Sequence, residues 1–160
     1  IVGTTSTLEN ILTDLKNMDK IELRKVTEKD WNFILNLRNE FYTNSFYEQK
    51  KLIQKTEHYE YMSKQTTNPN FHQWIAIQSK NPSSIGYVRI LDQDVNIMVE
   101  KKFQTKGIGT VMLNLVEKEA RRLGIKKLKA KVLIGNDSSK KIFEKNNYKL
   151  KMYSFEKEIL

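Results

Sequence analysis

The 160-residue sequence contains no cysteine and only two histidines, His58 and His72. Without cysteine there is no disulfide, no thiolate metal site and no thiol nucleophile, and the redox compartment leaves no trace in the sequence. Two histidines exclude a histidine-rich metal centre and argue against a His-dependent catalytic triad, so no metal is expected. No apolar run approaches the roughly 20 residues that span a bilayer. The first 20 residues lack the basic-then-apolar pattern of a secretion signal. Acidic residues are scarce in one region: residues 101–151 hold 15 Lys/Arg against 4 Asp/Glu, whereas the rest of the chain is nearly balanced.

What is present describes an ordinary globular domain. Hydrophobic residues make up 39% of the chain and charged residues 29%, too apolar for disorder and long enough for one real core. The net charge of +9 lies in the 101–151 half. A phosphorylated cofactor, a nucleotide or nucleic acid is the natural partner of such a region, and a merely solvated surface is its plain alternative. No nucleic-acid reading motif accompanies the charge.

Residues 1–20 read as a helical extension, with Ser6 and Glu9 at capping-box spacing and an apolar stripe of Leu8, Ile11, Leu12 and Leu15. The domain proper is expected over residues 21–160. Residues 21–27 alternate as a strand, and Thr27 with Asp30 caps a helix to about Asn39. An aromatic loop over 41–49 and a second helix from Glu48 to Lys64 are expected next. Strands at 71–78, 85–91 and 95–99, joined by short polar turns, form an antiparallel meander. Further strands are expected at 127–134 and over 148–160, the latter as one strand or a pair, with a helix from Ser138 to Lys145 between them. The order is β-α-α-β-β-β-α-β-α-β, an α/β (α+β) domain with a mixed sheet of about six or seven strands.

Within this order, residues 95–124 stand out. Val95, Ile97 and Val99 alternate with polar or longer residues, a basic turn follows, and Gly107 and Gly109 open a helix bounded by Gly124. A helix start after a glycine turn offers unpaired backbone N–H groups and the positive end of a dipole, which suit phosphate. The Rossmann fingerprint fails because Met112 stands where its third glycine belongs, and no Walker Gly-Lys-Ser/Thr is present.

Gln104-Thr105-Lys106-Gly107-Ile108-Gly109 resembles the Q/R-x-x-G-x-G/A segment of the GNAT superfamily of acetyl-CoA-dependent N-acetyltransferases. Asn136 to Tyr148 resembles the second cofactor segment of that superfamily, and the resemblance spans about residues 21–158 with the same element order. It implies a sheet splayed between strands four and five, with acetyl-CoA held by Gln104, Thr105, Lys106, Gly107, Ile108, Gly109 and Thr110 around the pyrophosphate. Met98 and Val99 would offer amides to the pantetheine arm, Asn136 and Ser139 would contact the same arm, and Lys140 and Lys141 would lie near the phosphates. Asp94 and Glu100 are the candidate catalytic carboxylates. Phe143 departs from the superfamily, standing where its tyrosine acid falls.

A finer resemblance, in Leu37-Arg38-Asn39 and Glu57-His58-Tyr59, is to the branch that acetylates amino-sugar nucleotides. It implies acceptor contacts from Arg38, Asn39 and His58 and a small-molecule amine as partner. A protein or peptide N-acetyltransferase and a weakly catalytic acyl-CoA sensor are the alternatives. The resemblance further implies a cytoplasmic enzyme without nucleic-acid or membrane partners, and leaves a homodimer open.

Overall fold

The computed structural model describes residues 7–12, 21–45, 48–80 and 82–160. Residues 7–12 form a helical segment, α1, with Leu8, Ile11 and Leu12 exposed; Ser6, Leu15 and Met18 lie outside the described residues. The domain then runs β1 (Ile21–Lys25), α2 (Trp31–Ser45), α3 (Lys55–Gln65), β2 (Phe71–Gln78), β3 (Ser84–Leu91), β4 (Asp94–Val99), α4 (Ile108–Arg122) and α5 (Asp137–Lys145). The sheet order is β1-β2-β3-β4, every pair antiparallel.

Strand alternation sends side chains into two apolar layers. Trp74, Ala76, Val88, Ile90 and Val95 pack with Met112, Leu113 and Val116 of α4 and with Phe143 of α5. The opposite face sends Ile75, Tyr87 and Met98 against Trp31, Ile34, Leu37 and Met62 of α2 and α3. The sheet is therefore a wall with a helix layer on each side.

Thr27 and Asp30 act as expected, starting the first helical layer through a short 3₁₀ turn. The Asp30 carboxylate accepts from the Thr27 amide at 2.8 Å and from both Arg24 Nη atoms at 2.8 Å. Asp30 is only 6% exposed, and the Arg24 hydrogen bonds hold its carboxyl below the usual carboxylate value against the opposing effect of burial. Asp30→Ala is expected to lower stability at neutral pH by about 2 kcal/mol, less than a fully buried pair would lose because Arg24 is partly solvated. A depressed folded pKa means this stabilisation is present above the unfolded value, about 3.9, and is lost as pH falls through the folded one. Urea unfolding should therefore separate variant from wild type at neutral pH and bring them together in strong acid.

The expected sheet of six or seven strands is not formed; among the described residues it has four. Residues 127–134 alternate as a strand should, yet they touch the sheet at one parallel bridge, Asp94 with Lys129. There Val95 N donates to Lys129 O and Lys129 N to Gln93 O, both at 2.8 Å. Residues 149–160 carry no strand pairing at all. Alternation fixes which way side chains point, but a strand also requires a hydrogen-bonded neighbour.

Both first-layer helices differ from the expected spans for a long-range reason. α2 continues past Asn39 to Ser45, and Asn136, 92 residues away from Asn44, donates Nδ2 to the Asn44 carbonyl at 3.0 Å near the helix end. α3 begins only at Lys55, because Asn39 pins the preceding loop. Its Oδ1 accepts from Ile53 N at 2.8 Å and its Nδ2 donates to Ile53 O at 3.0 Å.

Candidate active site

The turn between β4 and α4 is held in an unusual conformation. Thr105 has φ 65° and Gly107 φ 76°. A β-branched residue in the left-handed region is strained, and such strain persists only where the surroundings impose it. Here Gln104 Nε2 donates back to Val99 O at 3.0 Å and Thr105 Oγ1 donates to Gln104 O at 2.6 Å. Gly107 is the N-cap of α4, and no side chain caps that end. Among the described residues the first-turn amides of α4 thus have no side-chain acceptor, and Lys101, Lys102 and Lys106 of the preceding turn are exposed. By contrast, α5 is closed by Asn136, whose Oδ1 accepts from Ser139 N at 3.3 Å.

The two glycines of the turn do different work. Gly109 is buried, and a Cβ there would stand 3.1 Å from Ile142 Cδ1 and 3.5 Å from Ile97 Cδ1. Its missing side chain brings α4 against α5 and β4, whereas Gly107 supplies the turn itself.

Beyond the Asp94–Lys129 bridge, β4 and residues 131–133 separate, leaving a slot. It is lined by Ser45, Val95, Asn96, Ile97, residues 131–133, Asn136, Ser139 and Phe143. Backbone direction decides which amides face it. Val95 N points to Lys129 on the slot side, and Glu100 N donates to Ile85 O at 2.9 Å on the β3 side. Alternation then places Ile97 and Val99 on the slot edge and turns Met98 towards β3. The expectation for Val99 fits this geometry. For Met98 it is corrected: its amide faces β3, its side chain is 4% exposed in the α2/α3 layer, and the neighbouring amide on the slot edge is that of Ile97. Asn136 and Ser139 line the slot, although both Asn136 polar atoms are engaged within the chain.

A second cavity lies across the sheet, lined by Ile34, Arg38, Tyr61, Met62, Tyr87, Arg89, Asn96 and Met98. The Arg38 guanidinium sits 5.8 Å from the Tyr61 ring centroid, and burial draws its pKa below the usual value. Tyr87 donates its hydroxyl to Gln73 Oε1 at 2.9 Å, and burial keeps it protonated. Arg89 stands opposite Asn96 in the β3–β4 register and approaches Asp94 Oδ2 at 3.5 Å. Burial raises the Asp94 carboxyl above its usual value, only partly countered by Arg89 and Lys131.

The remaining expected site residues stand elsewhere. His58 is 1% exposed in the α2/α3 packing, its Nε2 is 2.8 Å from Trp31 O, and burial holds it neutral. Asn39 is occupied by the loop it pins, and Glu100 lies beyond β4 with Lys102 Nζ at 3.8 Å. None of the three lines either cavity, and Asp94 itself lines neither, reaching the second one only through its contact with Arg89. Sequence reading missed Arg89, Asn96 and Ile97. The first two carried a signal, since each interrupts with a polar group a strand that is otherwise mostly apolar.

A strand meander, a glycine turn leading into an uncapped helix, and a slot where the next segment leaves the sheet together define an acyl-CoA-dependent transferase fold. The family model described as acetyltransferase (GNAT) domain matches residues 20–149. The chain belongs to the GNAT family of N-acetyltransferases, which use acetyl-CoA. A domain from Methanocaldococcus jannaschii is similar at 28% identity and TM-score 0.71, over 81% of this chain and 88% of that one. Spermidine N-acetyltransferase from Vibrio cholerae, in complex with CoA and spermine, has the same fold at 18% identity and TM-score 0.71, over 79% of each chain. A dodecameric structure of that enzyme gives TM-score 0.66 at 18% identity, over 79% of this chain and 78% of that one. Among the described residues no helix is long and apolar enough to cross a membrane.

Proposed function

We propose that this chain transfers the acetyl group of acetyl-CoA to a primary amine on a small molecule that also carries a phosphate or carboxylate, an amino-sugar nucleotide being one such acceptor. The observation that carries the reading is that Asn96 lines both cavities. The slot and the arginine-lined pocket thus meet at β4, where an amine from one side reaches a thioester on the other. The amides of Thr105 to Thr110, with Lys106, form the cradle for pyrophosphate. In this reading Ile97 and Val99 offer a strand edge to the pantetheine arm, and the Ile97 N–H donates to the thioester carbonyl oxygen. Asp94, with its raised pKa, accepts the proton that the acceptor's ammonium must lose before the neutral amine attacks the thioester.

With Phe143 in the slot, no phenol lines it among the described residues. The Tyr148 ring lies edge-on to Phe143 at 5.0 Å, and burial pushes its hydroxyl up to about 12, too weak an acid to meet a leaving thiolate efficiently. Water therefore protonates the thiolate in this reading.

The acceptor class follows from charge. Arg38 and Arg89 face the pocket, and among the described residues no carboxylate lines it, Asp94 reaching it only through Arg89, an arrangement suited to an anion and ill-suited to a polycation. Thiol release from acetyl-CoA should be followed across matched amines with and without a phosphate, alongside spermidine and peptides. The phosphorylated member of each pair is expected to show a KM lower by about tenfold or more. Faster turnover of spermidine would overturn the acceptor class, and coenzyme A binding without thiol release from any amine would leave a sensor rather than an enzyme.

A further inference from the structure

The slot holds an amine of the chain's own. Lys131 lines it together with Asn96 and Ile97, and among the described residues no other lysine lines either cavity. Its direction follows from alternation along residues 128–132. Leu128, Ala130 and Val132 pack on the α4/α5 side, so Lys131 points to the opposite face, where α2, α3 and the acceptor cavity lie. There its Nζ stands 3.8 Å from Oε1 of Glu48, on the segment between α2 and α3. Both partners of this ion pair are exposed. Such a pair contributes little, and the flexible stem of the lysine can leave it readily.

Register sets this amine against the reacting centre. The parallel bridge joins Asp94 to Lys129. Two residues further along each segment, Asn96 and Lys131 come opposite one another, on one face and with the slot between them. Asn96 is the residue common to slot and acceptor cavity, the place where a substrate amine meets the thioester. Burial raises the Asp94 carboxyl, and after Arg89 the charge of Lys131 opposes that rise. An amine, a carboxylate able to take its proton and the Ile97 N–H on the slot edge thus surround one point. A small-molecule acceptor would bring no reactive group that this lysine lacks.

We propose that Lys131 is a modification site: the chain acetylates its own Nζ from bound acetyl-CoA when no acceptor occupies the cavity. The inference rests on the slot holding the thioester, as read above. The Lys131 ammonium first gives one proton to Asp94, which releases it to solvent. Neutral Nζ then attacks the acetyl carbonyl carbon. A C–N bond forms, the C–S bond breaks and coenzyme A leaves as thiolate, which receives the second proton lost by the nitrogen through water. The product is a neutral amide beside Asp94, and its pairing with Glu48 is lost. With that cation gone, less opposes the effect of burial on Asp94, so the acetylated chain should work on small amines with its acid limb at higher pH.

Mass spectrometry of the full chain incubated with acetyl-CoA alone, followed by peptide mapping, tests this. One acetyl group per chain is expected at Lys131. Its rate should saturate with acetyl-CoA and exceed that of the other exposed lysines by about 100-fold, since those meet the thioester only by bulk collision. A phosphorylated amine should suppress the label by competition. Lys131→Arg keeps the charge and is expected to lose the saturable label while still binding coenzyme A by isothermal titration. The same titration on the wild type separates two failures. Saturable binding with no label at Lys131 overturns this proposal and leaves the slot assignment standing, whereas absence of binding overturns both. A label that grows linearly with acetyl-CoA, at the rate of other exposed lysines, marks an ordinary surface amine and overturns the proposal, as does a saturable label that survives in Lys131→Arg.

Discussion

A Gly107→Val variant is expected to fold and to lose coenzyme A binding by about 100-fold, read by isothermal titration. The cause is local. Gly107 sits at φ 76° as the N-cap of α4, where a left-handed L-residue costs about 1–2 kcal/mol and a β-branched one more. The chain can relieve that strain by abandoning the left-handed turn, which rotates the α4 first-turn amides away from their common direction. Several charge-assisted hydrogen bonds to the pyrophosphate then weaken together, whereas neither apolar layer of the core is touched. Gly109→Ala supplies the contrast. Its Cβ would press on Ile142 at 3.1 Å, so it is expected to lower the unfolding midpoint while leaving the Gly107 turn in place. Unchanged affinity in Gly107→Val would mean that the phosphates are held away from this helix.

The contrast between these glycines shows which parts of the molecule could be read from residue order. Features set within a few residues were legible: the Thr27–Asp30 cap, the β2–β3–β4 meander, the glycine turn at Gly107 and the α4 boundaries. Asn147 adopts φ 66°, a conformation that Asn tolerates better than most residues. Features set by distant partners were not. The length of α2 depends on a contact with Asn136, the start of α3 on Asn39, and the fate of 127–134 on a neighbouring strand that is absent among the described residues. The site divides in the same way. The cradle is a local motif, but its continuation along β4 required knowing that Val95 points to Lys129, which moves the slot amide from Met98 to Ile97. His58 was expected at the acceptor through the resemblance of Glu57-His58-Tyr59; its ring instead fills the space between α2 and α3. Arg89 and Asn96 belong to the site through cross-strand register, a relation between strands rather than a property of either.

Arg89→Gln is expected to raise KM for a phosphorylated amine by about 30-fold while leaving KM for acetyl-CoA unchanged, because the guanidinium lines the acceptor cavity and not the slot. The same substitution should move the pH profile. Burial raises the Asp94 carboxyl, and Arg89 is the largest of the influences that hold it down. Removing that cation favours the protonated acid further, so the acid limb of kcat/KM, which rises as the base ionises, shifts to higher pH. Arg89→Lys separates the two effects. It keeps the positive charge and should return the limb towards its wild-type position, but it lacks the planar fork that binds phosphate through two hydrogen bonds, so KM stays raised. An equal loss for phosphorylated and unphosphorylated amines would reduce Arg89 to a strand residue packed between β2 and β4. A limb that stays fixed in Arg89→Gln while KM rises would keep the anion site and remove Asp94 as the base. The two readouts thus test acceptor recognition and proton transfer separately at one side chain, which is possible because β3 sets Arg89 opposite Asn96 and within 3.5 Å of Asp94.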